Sequence, residues 1–420
     1  MPFGIVRNGI VMCNFISFMK RVEYFTATIC VWALIYFLAQ QSYLGLVSPA
    51  AEIDSLVYHI PIARHILTHG WSTVPNIEQG WGYYPAVGET ILAGLLLISG
   101  SLMNLFNILA VALVFFVSVL LGKAFGLRPN SSLVYAAAVS LLQPALRLVN
   151  TQTVDIWFQF FALLSVLLLT SVRKSLSSLL ASGIVLGLLA GTKYSGPFVV
   201  LLILLFFRRN YRGIQFSRLV PAILSLLVLG GFWYVRNWFL SGNPFFPANL
   251  KFFGISLRGE TSNSITDWFP LKTALFYPGG FRIFLTSLVS EYAVWLVFLG
   301  YFLLRLFADK VVRKAPESKE AMRITLLGVT LFVLYFFIPG WPKNMLSDLR
   351  YTLPGISLMI LGFFVYFSAK KSSLPLYAAV LSLPYTFPLL THHPKVALVA
   401  AFAFLSTFLL QNTFFSHDDN

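Results

Sequence analysis

The chain has 420 residues, of which 58% are hydrophobic, 16% aromatic and only 11% charged, with a mean hydropathy of +0.79. A soluble domain carries about 25% charged residues, so composition excludes an ordinary soluble fold. It predicts an all-α, polytopic membrane bundle, because lipid leaves backbone groups no partner outside a helix. The formal net charge of +15 is read as basic residues gathered in cytoplasmic loops, with no nucleic-acid partner.

In chain order, residues 24–44 form a first span. It is retained, because no small-residue cleavage site follows it. Cys13 and Cys30 lack a metal-site spacing, and no structural disulfide is expected. Eleven further apolar segments read as spans at 102–121, 132–149, 156–171, 177–192, 195–207, 219–240, 291–307, 324–340, 353–368, 374–390 and 396–411, giving about twelve. Several are shorter than the roughly 17–25 residues of a full crossing. Residues 85–100 are read as a helix in the outer interface. With the N-terminus inside, the short inner loops hold most Lys and Arg, including Arg208, Arg209, Arg212 and the run RKAPESK. The acids Glu52, Asp54, Glu78, Glu89, Asp155, Glu260, Asp267, Glu291 and Asp348 fall outside. The two long connections, 45–101 and 241–290, face out as well. The chain thus divides into three units: 1–240 as a catalytic transmembrane module, 241–290 as an outer loop and 291–420 as a C-terminal transmembrane module.

Scarce charge concentrates in AEIDSLVYHIPIARHILTHGW, residues 51–71. If 53–69 is a helix, Asp54, Tyr58, Pro61 and His65 share one face. An amphipathic interfacial helix explains Arg64 and His69 without a function. Glu52 and Asp54 stand at the mouth of a span, where they can cap the helix, share a metal or take a proton. In NTQTVDIWFQFF, Asp155 opens an apolar helix. It is either another cap or a group facing the same cavity as Asp54, since an ionisable group at such a place is costly unless paired or wet. Two or three carboxylates in one cleft can hold a divalent ion or supply a general base. Lys193 in GTKYSGPF, Arg236 in WYVRNWFLSGNPFFP and Arg350 in SDLRYTLPG either snorkel to headgroups or bind a phosphate. Tyr58, His59 and Tyr84 join them as candidate substrate-binding residues. The aromatics Tyr58, Trp71, Trp81, Tyr83 and Tyr84 suit sugar stacking or an interfacial belt.

Taken in order, EIDSLVYH, WGYYPAVGE, NTQTVDIWF, GLLAGTKYSG, WYVRNWFLSGNPFFP and RYTLPG resemble the C-type glycosyltransferases. They are similar in particular to the bacterial relatives of protein O-mannosyltransferases and of the aminoarabinose transferase of lipid A. The likeness is good over about residues 24–240 and looser beyond. It implies a helix bundle with two interfacial helices after the first span, and a polyprenyl-phosphate-linked sugar as donor. A glycan, lipid or protein hydroxyl would be the acceptor, and the anomeric carbon would be inverted. It further implies Asp54 as the base, Asp155 as the second acid and Lys193 as a contact to donor phosphate. Single-chain length and the likeness imply the inner (cytoplasmic) membrane of a bacterium, with the active site facing the periplasm. Some members carry a glutamate–lysine pair, implicated in metal binding, where this chain has Tyr83 and Tyr84 before Pro85. Asp155 and Glu89, or Glu78, are then the candidate ligands for a divalent ion (Mg or Mn). Rival readings are an oligosaccharide polymerase or ligase using a lipid-diphosphate donor, a secondary transporter, and a membrane scaffold.

Overall fold

The structure is a computed structural model, and it describes residues 4–170, 175–252, 255–260, 269–308, 316–338, 348–386 and 401–406. Helix α1, Gly4–Val47, leads into a loop that carries a π turn at Ser55–His59, α2 (Ile60–His69), a 3-10 segment at Glu78–Tyr83 and α3 (Val87–Ile98). The chain then runs through α4 (Phe106–Ala124), α5 (Pro129–Ser140), α6 (Gln143–Leu148), α7 (Asp155–Thr170), α8 (Leu176–Ala190) and α9 (Gly196–Phe206). A short α10, Arg208–Tyr211, precedes α11 (Phe216–Leu226), which continues through a π turn into α12 (Phe232–Ser241).

A small antiparallel hairpin comes next, with β1 at Leu250–Phe252 and β2 at Ile255–Leu257, and Leu250 opposite Leu257. It is the only sheet among the described residues, so the helical expectation holds around it. Then come α13 (Pro270–Phe276), α14 (Gly280–Ala308), α15 (Pro316–Leu334), a 3-10 turn at Leu349–Thr352, α16 (Leu353–Ala369) and α17 (Leu374–Thr386).

Among the described residues, six helices are long and apolar enough to cross a membrane: Arg21–Val47, Gly100–Ala124, Phe216–Ser241, Gly280–Ala308, Ser318–Phe337 and Leu349–Ala369. The remaining apolar helices are shorter. Helix α9 has 11 residues, or about 16 Å at 1.5 Å per residue, against a hydrocarbon core of about 30 Å. The segment read as one span at 132–149 divides into α5 and α6, with Leu141 and Leu142 between them. Pro144 at the start of α6 suits a first helical turn and not a helix interior. Helix α14 begins at Gly280, well before the expected 291. Most of the expected span 396–411, the end of 374–390 and Asp267 lie outside the described residues.

Helix α16 is the buried axis of the bundle. Every residue from Leu353 to Phe367 is buried, and α16 packs on α5, α7, α14, α15 and α17. It meets α15 at Gly328 and Gly355. A Cβ on either glycine would lie 2.7 Å from the carbonyl oxygen of the other, so the crossing needs small residues, as close helix packing in lipid does generally. This packing fixes where α16 begins, and the turn before it carries Arg350.

Candidate active site

Four segments converge at one end of the bundle: the loop after α1, the start of α7, the α8–α9 turn and the turn before α16. In the first, Glu52 Oε2 accepts hydrogen bonds from the Ser55 amide and hydroxyl, both 2.7 Å. Asp54 makes no side-chain capping bond. Capping is thus the work of Glu52, and the Asp54 carboxylate is left for another partner. The π turn at Ser55–His59 adds a residue to the helical turn and rotates the residues after it. Tyr58 stays near Asp54, whereas His65 bonds Thr73 at 2.9 Å and stacks on His69 at 4.6 Å, away from the cluster.

The loop into α7 is held by buried amides. Asn107 Nδ2 donates to the carbonyls of Leu148 (3.0 Å), Thr151 (3.1 Å) and Thr153 (2.9 Å). Gln152 donates its side-chain amide to Asn104 Oδ1 and its backbone N–H to Ser55 Oγ, each at 2.9 Å. Irregular backbone in an apolar bundle needs such partners. The Ser55 bond also ties the Asp54 loop directly to the Asp155 loop.

The four charged side chains then alternate in sign. Arg350 donates to Asp54 Oδ2 at 2.8 Å, and its Nε lies 3.6 Å from Asp155 Oδ2. Asp155 Oδ1 takes the Lys193 ammonium. The chain Asp54–Arg350–Asp155–Lys193 therefore joins residues separated by up to 296 positions. Its two ends are the reachable ones: the Asp54 side chain is 33% exposed and Lys193 19%, against 8% for Arg350 and 3% for Asp155. Burial pulls the Lys193 ammonium below its usual range, and Asp155 opposes that pull. The Tyr351 ring lies under both cations, 4.0 Å from Lys193 Nζ and 5.4 Å from the Arg350 guanidinium carbon.

Asp348, in sequence two residues before Arg350, is a second buried acid here beside Asp155. Burial pushes its carboxyl up to about 7, although Arg350 and Lys193 pull it down. An unfolded aspartate titrates near about 3.9. The folded protein thus holds the proton more tightly, and the stability from this group falls as pH rises from about 4 to about 7, then stays level. Asp348→Asn should accordingly raise the melting temperature in detergent more at about pH 8 than at about pH 5. An equal shift at both values would mean that the carboxyl is not held protonated.

The other sequence candidates lie around this chain without joining it. His59 Nδ1 pairs with Glu89 Oε1 at 2.6 Å, and both side chains are buried. Tyr58 lies 5.6 Å from Trp81 and 5.7 Å from Tyr84, and Tyr84 lies 5.5 Å from Tyr194, all between ring centroids. Burial pushes the Tyr58 phenol well above its usual range and Tyr84 up to about 12, so both remain protonated donors near neutral pH. Arg236 is committed to structure. It donates to the Tyr83 carbonyl at 3.0 Å and to Asn237 Oδ1 at 2.9 Å. Asn237 (2.8 Å) and Tyr194 (3.0 Å) donate to the same carbonyl, and Tyr194 also reaches the Phe246 carbonyl. Arg236 thereby ties the loop between α1 and α3 to α12.

A divalent ion needs several oxygen ligands. Asp155 turns its two oxygens to Lys193 and Arg350, Glu89 Oε1 is held by His59, and Glu78 is exposed. Glu89 Oε2 is buried without a protein partner, but it offers a single ligand. Among the described residues, no group of three His, Cys, Asp or Glu side chains is arranged to hold a metal ion. As placed, Asp155, Glu89 and Glu78 do not together offer the several oxygens that a divalent ion takes.

Sequence reasoning passed over Asp348 and Tyr351 as site residues, although both lie in SDLRYTLPG. Their only signal was proximity to Arg350. Tyr194 and Asn237 carried none, because their partners are backbone carbonyls distant in the chain.

No family model and no curated protein matches the sequence. Solved structures do match, among them the following two. The crystal structure of ArnT from Cupriavidus metallidurans in the apo state matches with a TM-score of 0.52 and 15% identity, over 84% of this chain and 62% of that one. The S. cerevisiae protein O-mannosyltransferase Pmt1–Pmt2 complex bound to the sugar donor matches with a TM-score of 0.35 and 14% identity, over 62% and 37%. This chain thus shares the ArnT fold while spanning about three fifths of its length. The likeness to the aminoarabinose transferase seen in the sequence is met at the level of fold.

Proposed function

We propose that the chain is a membrane glycosyltransferase that moves a sugar from a polyprenyl-phosphate donor to a hydroxyl acceptor, at the outer face of the cytoplasmic membrane. The observation that carries this reading is the alternating chain Asp54–Arg350–Asp155–Lys193 at one end of an ArnT-like bundle. It sets carboxylate and cation side by side in partly accessible positions, which is what an anionic leaving group and a hydroxyl nucleophile require.

In the reaction, the acceptor oxygen attacks the anomeric carbon and its proton passes to Asp54, the more exposed of the two paired acids. The bond from the anomeric carbon to the phosphate oxygen breaks, and the electron pair leaves with the lipid phosphate. A single displacement inverts the anomeric centre. Arg350 and Lys193 stabilise the charge that develops on the phosphate, an electrostatic contribution that commonly dominates such catalysis. Asp155 is too buried to meet an acceptor and serves to hold both cations. Tyr58, Trp81 and Tyr84 offer ring faces to the sugar. The connections after α1 and after α12 face outside in this arrangement, and an acceptor glycan, lipid or protein approaches from there.

The test is donor consumption by the protein in liposomes, supplied with membrane extract as acceptor source. Sugar should leave a polyprenyl-monophosphate donor and free lipid phosphate should accumulate. Consumption of a diphosphate donor alone would favour a polymerase or ligase, and consumption of neither would remove the transferase reading.

A further inference from the structure

Arg350 is the hinge of the charged chain, yet it sits in a 3-10 turn of four residues, Leu349–Thr352. So short a turn has little stability of its own, and something outside it must hold the guanidinium on target. The structure shows what does. Thr352 Oγ1 donates to the Leu349 carbonyl at 2.7 Å. That commits its proton, so the Tyr292 hydroxyl on α14 is the donor in the 2.7 Å bond to Thr352 Oγ1. The same hydroxyl lies 3.4 Å from the Leu349 carbonyl. All three residues are buried. The neighbouring Glu291, also buried, pairs with Arg147 of α6 at 3.0 Å, and α6 leads into the loop that delivers Asp155. Two adjacent residues of α14 thus grip the two segments that bear Arg350 and Asp155.

We propose that Tyr292 is a positioning residue: its hydroxyl locks the Leu349–Thr352 turn and so aims Arg350 at Asp54, Asp155 and an incoming phosphate. The inference rests on the proposed donor chemistry, with Arg350 as a phosphate contact. Phenylalanine would fill the same space and remove only the hydroxyl, so packing on α14 stays and the aim is lost.

The experiment measures the affinity of the purified protein for undecaprenyl phosphate in wild type, Tyr292→Phe, Arg350→Gln and the double variant. Tyr292→Phe should weaken binding about 3- to 30-fold, within the range of coupling between contacting residues. The double variant should bind no worse than Arg350→Gln alone, because a residue that acts through Arg350 has nothing to aim once Arg350 is gone. A Tyr292→Phe protein that binds like wild type, or losses that multiply in the double variant, would overturn the inference. If Tyr292→Phe fails to fold, Thr352→Val removes the other half of the bond and the same cycle applies. Failure of the wild type to bind undecaprenyl phosphate would bring down the donor reading and this inference together. Binding by the wild type with an indifferent Tyr292→Phe would bring down this inference alone.

Discussion

Asp54→Asn is expected to lower sugar transfer by about 10²–10⁴-fold, the usual contribution of a positioned general base, while the protein still folds and inserts. The geometry supports both halves of that expectation. An asparagine oxygen can still accept the Arg350 hydrogen bond now made at 2.8 Å, so the shape of the cluster survives. What disappears is the negative charge that takes the acceptor proton. Asp54 makes no capping bond that the helix would miss, since Glu52 supplies those to Ser55. The melting temperature should therefore move little while turnover falls. Transfer within a few-fold of wild type would remove Asp54 as the base, and loss of folding would assign it a structural role.

Arg350→Gln should damage both activity and stability. Removing one preorganised donor to a developing oxyanion costs about 10²–10³ in rate, and Arg350 faces two carboxylates besides. Breaking a buried ion pair from one side costs about 3–5 kcal/mol, because a charge is left without its partner. The 33% exposure of Asp54 moderates that loss through solvent screening, and Asp155 retains Lys193. The informative companion is the double variant Asp54→Asn, Arg350→Gln. With the carboxylate gone as well, part of the lost stability should return, since removing both partners is far milder than removing one. Activity should stay at or below that of Arg350→Gln alone. Melting temperatures that simply add across the two substitutions would mean that the pair does not form in the folded protein.

How much of this was legible in the sequence differs from residue to residue. Asp54, Asp155, Lys193 and Arg350 stood out because each is an ionisable group in an apolar chain, where such groups are costly without a purpose. The structure brings these four into one chain of contacts. Residue chemistry alone could not rank Glu52 against Asp54, which are two residues apart and chemically alike; the family resemblance pointed to Asp54 as the base. Only the backbone at Ser55 shows which one caps. Arg236 ends an apolar helix much as Arg350 precedes one. The difference is the Tyr83 carbonyl, which comes from another loop and already takes the Arg236 guanidinium. The face shared by Asp54 and His65 assumed a regular α-helix, and a single π turn undid it. In the bundle, hydropathy found the apolar segments but not their lengths. LVYAAAVSLLQPALRLVN reads as one run because apolar residues dominate it, yet the chain breaks ahead of Pro144. Tyr292 was hidden for a plainer reason: a tyrosine inside an apolar helix looks like core until its hydroxyl partner is known.

The most direct measurement is an experimental structure of the protein in lipid with undecaprenyl phosphate bound. The account predicts the phosphate within hydrogen-bonding distance, about 3 Å, of Arg350 or Lys193, with Asp54 facing the open side of the same pocket. A phosphate seated elsewhere, with the Asp54–Arg350–Asp155–Lys193 chain intact and untouched, would contradict it.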